Sequence, residues 1–254
     1  NMKNPSRWEP LLAERWEISP DRLTYTIHLR HGVTWHDVTD PSTGRSYTRV
    51  PVTAHDFAFY VDVIRNPGIH CEPVRNYFSD LDRIEVLDDY TFRVIWREPY
   101  FLSESMTLSL SPLPRHFYDF DPARPDGFNE NDQRNRMIVG CGPWIFDRWE
   151  KGSEVVFRRN EDYYGLKPHL KRVRFRMIKE PNAALQALRK GEVDRTGLTT
   201  DQWTDQTGDA LFAERFEKMQ ETRRVYFYIG WNLRRPLFAD RRVRQAMTLL
   251  TDRE

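Results

Sequence analysis

The sequence predicts an α+β fold of mixed sheets with short helices. Two observations carry that prediction. Runs of alternating apolar and polar residues recur at 23–30, 91–96 and 172–177, the signature of strands with one buried face. One strongly capped amphipathic helix follows Thr53, and no fixed-period repeat runs through the 254 residues.

In order along the chain, the clearest strand is Leu23 to Arg30. Leu23, Tyr25, Ile27 and Leu29 fall on one face, and Thr24, Thr26, His28 and Arg30 on the other. Ser19-Pro20-Asp21 before it and His31-Gly32 after it are turn chemistry. Asp40 to Arg49 is polar and carries Pro41 and Gly44, which predicts a loop. Thr53 is placed to cap a helix, with Asp56 as the acid three positions on. Phe57, Tyr60, Val61 and Ile64 are its apolar stripe, and Asn66-Pro67-Gly68 ends it. Leu81–Val86 and Thr91–Trp96 about Asp88-Asp89 form a predicted hairpin. Residues 119–136 are rich in Asp, Asn, Pro and Arg, and are expected to be a long surface loop and the domain junction. A second hairpin is predicted from Trp144–Trp149 and Glu154–Arg158 about Lys151-Gly152. Val173, Phe175 and Met177 alternate with Arg172, Arg174 and Arg176. Pro181–Leu188 is a short helix with Gly191 just past its end, and Val193 opens a short strand. Val225–Trp231 is apolar or aromatic on both faces, which predicts a central strand. Asp240–Leu250 is an amphipathic helix.

Composition narrows the function class. Thirty-nine Lys and Arg balance 38 Asp and Glu, for a net charge of +1. That balance argues against nucleic acid as a partner, because neutralising phosphates needs a basic surface. Thirty-four aromatic residues (eight Trp, eleven Tyr and fifteen Phe) exclude a disordered chain. No apolar run approaches the roughly 18 residues of a membrane span. The two cysteines, Cys71 and Cys141, form no CxxC pair, so separate thiols are expected rather than a disulfide framework or a zinc cluster. The start has no apolar leader region, and the final helix runs to Glu254 without a cap; the chain reads as a fragment of a longer protein.

Signals for catalysis are poor. None of the seven histidines forms a metal-spaced helical pair, and there is no GxSxG, P-loop or GxGxxG. Cys141 between Gly140 and Gly142 offers a nucleophile in form. A catalytic thiol needs a neighbouring base and a lowered pKa, and a tight turn explains the glycines as well. A thiol-dependent hydrolase using Cys141 stands as the alternative reading.

Several segments together resemble a known family. They are Leu12–Ser19, Leu23–Asp37, Val52–Phe57, Gly140–Trp144, Arg159–Gly165, Gly191–Asp194, Trp231-Asn232 and Phe238–Ala246. In this order they are similar to the extracellular solute-binding proteins of family 5, the peptide and nickel receptors of bacterial ATP-driven importers. Departures are Val38 in place of a glycine, an insertion from about Thr39 to Val50, Cys141 in place of a threonine, and Arg195 in place of an apolar residue.

The resemblance implies most of the first lobe of a two-lobed receptor of the periplasmic binding protein type, class II. Residues 1–138 would be the extra domain of that lobe, 139–236 part of its ligand-facing domain, and 237–254 the start of the second lobe. It implies a periplasmic or lipid-anchored monomer that hands a small solute, an oligopeptide, to an ABC permease in the inner membrane. No cofactor, metal or catalysis is implied. Ligand-facing candidates are Asn232, a short amide at a strand end, and Trp231, a cleft wall or a core residue. Arg159 matches a position where a guanidinium fork meets an anionic group in some members; an ion pair with a neighbouring acid is the plainer reading. Cys141 and Gly142 lie in the turn facing the other lobe. Ser109 and Ser111 are wall candidates. Trp35 and His36 are expected to be structural.

Overall fold

The computed structural model describes residues 8–118, 120–220 and 228–251. They fall into two compact units, 1–194 and 195–254.

The first unit is built on a four-stranded antiparallel sheet. Its strands are β1 (Ala13–Ile18), β2 (Thr24–Leu29), β5 (Leu81–Asp88) and β6 (Thr91–Trp96), in the order β1-β2-β6-β5. A small hairpin, β3 (Val38–Thr39) and β4 (Ser46–Tyr47), lies between β2 and β5 in sequence. The predicted alternation sets the register. Tyr25 pairs with Val94 and Ile27 with Phe92, and all four are buried with Leu29, Trp96 and Leu81. Helix α1 (Ala54–Arg65) covers this face with Phe57, Val61 and Ile64. Phe57 stacks on Phe92 at 4.8 Å between centroids. Each such side chain withdrawn from water contributes about 1.5–3 kcal/mol before its ordering cost is subtracted.

The start of α1 fixes more than the helix. The carboxylate of Asp56 accepts from the Thr53 amide (2.9 Å) and hydroxyl (3.3 Å), the Trp35 indole N–H (3.3 Å) and the Arg115 amide (3.1 Å). A buried carboxylate is tolerated only with donors of this number. Trp35 is thereby pinned to the core, as expected.

The hairpin β5–β6 turns at Asp89-Tyr90, one residue later than predicted. The register shifts between Val86 and Asp88, and the Asp88 side chain accepts from the Tyr90 amide at 2.8 Å. Strand β1 was not read as a strand from its residues. It is a sheet edge with three exposed, three partly buried and no fully buried positions, so it lacks the alternation that betrays a half-buried strand.

The segment 38–50 carries β3–β4 and is anchored rather than loose. Asp40 is wholly buried. It accepts from the Ser42 amide (2.8 Å), the Thr43 hydroxyl (2.9 Å) and Arg134 Nη2 (2.7 Å). The predicted surface loop 119–136 contains two short helices, α4 (Asp126–Asn129) and α5 (Asp132–Asn135). Its polar residues are spent on the fold: Asn129 Nδ2 donates to Gly68 O (2.7 Å), and Asn131 caps α5. Two further short helices, α2 (Glu72–Arg75) and α3 (Ser103–Leu108), complete this part.

A three-stranded antiparallel sheet follows, β7 (Trp144–Glu150), β8 (Glu154–Arg159) and β9 (Arg172–Arg176), in that order. Gly152 turns the first hairpin at φ +78°, a conformation that suits glycine. Helix α6 (Pro181–Arg189) opens on its proline, and Gly191 at φ +73° closes it. The strand expected at Val193 is absent; residues 192–199 run as irregular backbone, with the Glu192 amide folded back onto Ala187 O at 2.8 Å.

The second unit holds a π-helical turn (Gln202–Gln206) and helices α7 (Ala210–Arg215), α8 (Pro236–Ala239) and α9 (Arg241–Leu249). Lys218 Nζ donates to Trp203 O (2.6 Å) and Thr207 O (3.3 Å) and lies 4.6 Å from the Trp203 ring centroid. Of the aromatic strand predicted over 225–231, residues 225–227 lie outside the described residues. Residues 228–231 are irregular backbone rather than strand.

Candidate functional site

The turn Gly140–Pro143, which joins the four-stranded part to β7, is the best-defined candidate. Backbone and side chains from two distant segments converge on it. The His36 amide donates to Gly140 O (2.8 Å), and His36 Nε2–H donates to Gly142 O (2.9 Å). Asn160 Nδ2 donates to the same Gly142 O (3.1 Å), while its amide donates to Pro143 O (2.9 Å). His36 and Asn160 are both buried. The bond to Gly142 places the imidazole proton on Nε2. Nδ1 is then a buried acceptor with no partner among the described residues, facing the Gly140 backbone.

The electrostatics favour neutral groups here. Burial holds His36 below its ordinary pKa, opposed by the bond to Gly142. It also pushes the Cys141 thiol up to about 11, with the Asp56 charge adding to the effect. A nucleophilic thiol needs the opposite shift, so nothing supports the hydrolase alternative. Cys71 and Cys141 are both free thiols. Among the described residues no group of three or more His, Cys, Asp or Glu is arranged to hold a metal.

Arg159 adjoins this turn but is already committed. Its Nε and Nη2 donate to Glu161 Oε1 (3.0 and 2.8 Å), and its Nη1 to Pro168 O (3.1 Å) and His169 O (3.3 Å). The guanidinium therefore ties the segment 160–170 back onto β8. Tyr164, in that segment, packs against the core, with Arg30 at 5.8 Å from its ring.

The other predicted residues are placed as follows. Ser109 ends α3, exposed, its hydroxyl donating to Ser105 O at 2.6 Å. Ser111 is exposed two residues on. Trp231 and Asn232 belong to the second unit. Trp231 is half-buried and stacks on Phe238 at 5.2 Å. Asn232 is exposed, with Oδ1 accepting from the Arg234 amide at 3.1 Å, an Asx turn. Cys141, Gly142 and Arg159 are thus grouped around one turn of the first unit. Sequence reading assigned no role to Asn160, which shares the Gly142 carbonyl with His36. The only signal for it was its place in the segment Arg159–Gly165.

Comparison with known proteins closes on one family. The model for bacterial extracellular solute-binding proteins, family 5 Middle, matches residues 7–254. The oligopeptide-binding protein AppA of Bacillus subtilis is 28% identical over 96% of this chain, which spans 42% of that relative. In structure, the chain is similar to NikZ from Campylobacter jejuni, solved with Ni(L-His). That likeness has a TM-score of 0.74 and 28% identity, covering 96% of this chain and 45% of NikZ. DppA from Helicobacter pylori, solved with the peptide STSA, gives a TM-score of 0.63 at 29% identity, covering 78% of this chain and 40% of DppA. The chain spans under half the length of these relatives. No described helix is long and apolar enough to cross a membrane. The match over nearly every residue, in both sequence and fold, places this chain in the bacterial extracellular solute-binding proteins of family 5.

Proposed function

We propose that this polypeptide is the first-lobe portion of the solute receptor of an ABC importer, and that the solute is a peptide. The family match over residues 7–254 carries the reading. Relatives named for oligopeptides and for di- and tripeptides support the solute class. In this role no bond is made or broken. Solute between two lobes stabilises a closed form, and a permease reads closure.

Residues 1–138 are assigned to the extra domain of the lobe, 139–236 to part of its ligand-facing domain, and 237–254 to the start of the second lobe. Asn232, Trp231, Ser109 and Ser111 are the contact candidates. Ser109 ends α3 and the other three lie in irregular chain, the kind of backbone from which cleft walls are built. Gly142 and Arg159 are assigned a positioning role, because the Gly142 carbonyl is occupied by His36 and Asn160 and the Arg159 guanidinium by Glu161; Cys141, whose thiol burial keeps neutral, is assigned with them. The receptor is proposed to act as a monomer in the periplasm or on a lipid anchor.

Titration calorimetry with a tripeptide pool tests the reading, run on this chain and on a polypeptide extended to the relatives' length. The extended form is expected to bind with about micromolar affinity and to return the peptides intact by mass spectrometry. This chain alone is expected to bind at least about a hundredfold more weakly, since the other lobe supplies much of the contact energy. Cleaved peptides, or equal affinity in both forms, would refute it.

A further inference from the structure

A separate recess lies between the outer side of α1 and the chain that follows Pro114. Phe59 and Asp62 stand three positions apart on the helix, opposite the stripe of Phe57, Val61 and Ile64 that packs into the core. With Arg115, Tyr118 and Phe120 they line a cavity of about 610 Å³, within the roughly 300–1,000 Å³ usual for small-molecule sites. None of the residues assigned above to the peptide solute lines it.

Its walls are rings held in place. Phe59 and Phe120 meet edge to face at 6.2 Å between centroids, and Phe120 meets Phe128 at 5.7 Å. The Tyr118 hydroxyl donates to Met137 O (3.2 Å), which fixes that ring and engages its polar atom. Two polar neighbours are engaged as well: Arg65 Nη1 donates to Asp82 O (2.6 Å), and Asn66 Nδ2 to Pro122 O (3.0 Å). Two charged ones are not. No hydrogen bond or ion pair among the described residues engages the Asp62 carboxylate or the Arg115 guanidinium. Arg115 is anchored through its backbone, whose amide donates to Asp56 Oδ1 (3.1 Å). Asp62 is exposed as a residue, yet partial burial of its carboxyl pushes the pKa up, against the opposing charge of Arg65. The carboxylate has lost water without gaining donors.

We propose that this cavity binds a free aromatic α-amino acid, with its ring against Phe59, Tyr118 and Phe120, its ammonium on Asp62 and its carboxylate on Arg115. A guanidinium meets a carboxylate through paired N–H donors, and an ammonium supplies the donors that Asp62 lacks. A ligand with a single charge would leave the other group uncompensated beside apolar walls. The two unpaired charges therefore select a zwitterion, and the rings select an aromatic side chain. This site goes beyond the peptide-receptor reading and does not rest on it.

Heteronuclear NMR titration of this chain with L-phenylalanine at neutral pH tests the site. Saturable shifts are expected at the amides of Phe59, Asp62, Tyr118 and Phe120, with a Kd of about a millimolar or below. Phenethylamine lacks the carboxylate, hydrocinnamate the ammonium and L-alanine the ring; each should bind at least about tenfold more weakly. Asp62→Asn should remove the advantage of L-phenylalanine over hydrocinnamate, and Arg115→Gln its advantage over phenethylamine. Both residues are exposed, so neither substitution should change the exchange protection of β2 and β6. Four results would overturn the proposal. They are no saturable shift at these amides up to about 10 mM, equal affinity for either single-charge analogue, unaltered affinity in both variants, or shifts centred on Cys141 and Gly142, which would put the amino acid at the turn instead.

Discussion

Replacing Asp40 with Asn should lower the stability of the first unit by an amount fixed by its surroundings. Asp40 is fully buried, and Arg134 beside it, with the Ser42 and Thr43 donors, lowers its pKa from 3.8 to about 2. That difference is nearly two pKa units. At about 1.4 kcal/mol per unit, the charged form contributes roughly 2.5 kcal/mol at neutral pH. A depressed carboxylate gives stability that is present above its unfolded pKa and lost as pH falls through its folded one. The contribution should thus be complete at pH 7, about half gone near pH 3 and absent below about pH 2. Urea titration followed by hydrogen exchange over β2 and β6 reads the first unit without interference from the second. Asp40→Asn should cost about 2–3 kcal/mol at pH 7, and about half of that at pH 3. A loss under about 0.5 kcal/mol, or one independent of pH between 7 and 3, would show that the β3–β4 segment opens without the core and would refute the reasoning.

Three further outcomes are expected. Phe92→Ala, which removes the ring that Phe57 stacks on, should cost about 3–5 kcal/mol in the same urea assay, because the sheet and α1 cannot collapse onto the gap. Burial lowers the pKa of both His36 and His116, so each contributes stability above about pH 6.5 that is lost as pH falls further. A thermal melt series from pH 7.5 to 5 should show that decline, and His36→Gln should flatten it. With its pKa near 11, Cys141 should be about a thousandth thiolate at pH 8. Iodoacetamide mapped by mass spectrometry should leave it unmodified in the native chain and label it in urea.

The parts of the fold written locally were legible. Alternation at 24–29 and 91–96 marked strands because each has one wet face. The Thr53–Asp56 spacing marked a helix start because the acid reaches back to the cap. Three parts were not legible, each for a physical reason. Strand β1 is an edge, so its residues carry no burial pattern. The loop 119–136 looks like solvent-exposed chain by composition. Its Asn129 and Arg134 instead satisfy a carbonyl and a carboxylate 61 and 94 residues away, and such long-range partners leave no local signature. At the candidate site, the turn Gly140–Pro143 was found, but Asn160 was not. Its importance lies in sharing one acceptor with His36, and neither residue announces the other.

The shared acceptor has a consequence for how the halves of the first unit are joined. The peptide between Gly142 and Pro143 has no N–H, since proline supplies the nitrogen. Its oxygen takes protons from both sides, His36 from the four-stranded part and Asn160 from the three-stranded part. With both lone pairs engaged and no donor left over, the link works as a rivet through a single atom. A swing of the smaller sheet against the larger must break at least one of the two bonds.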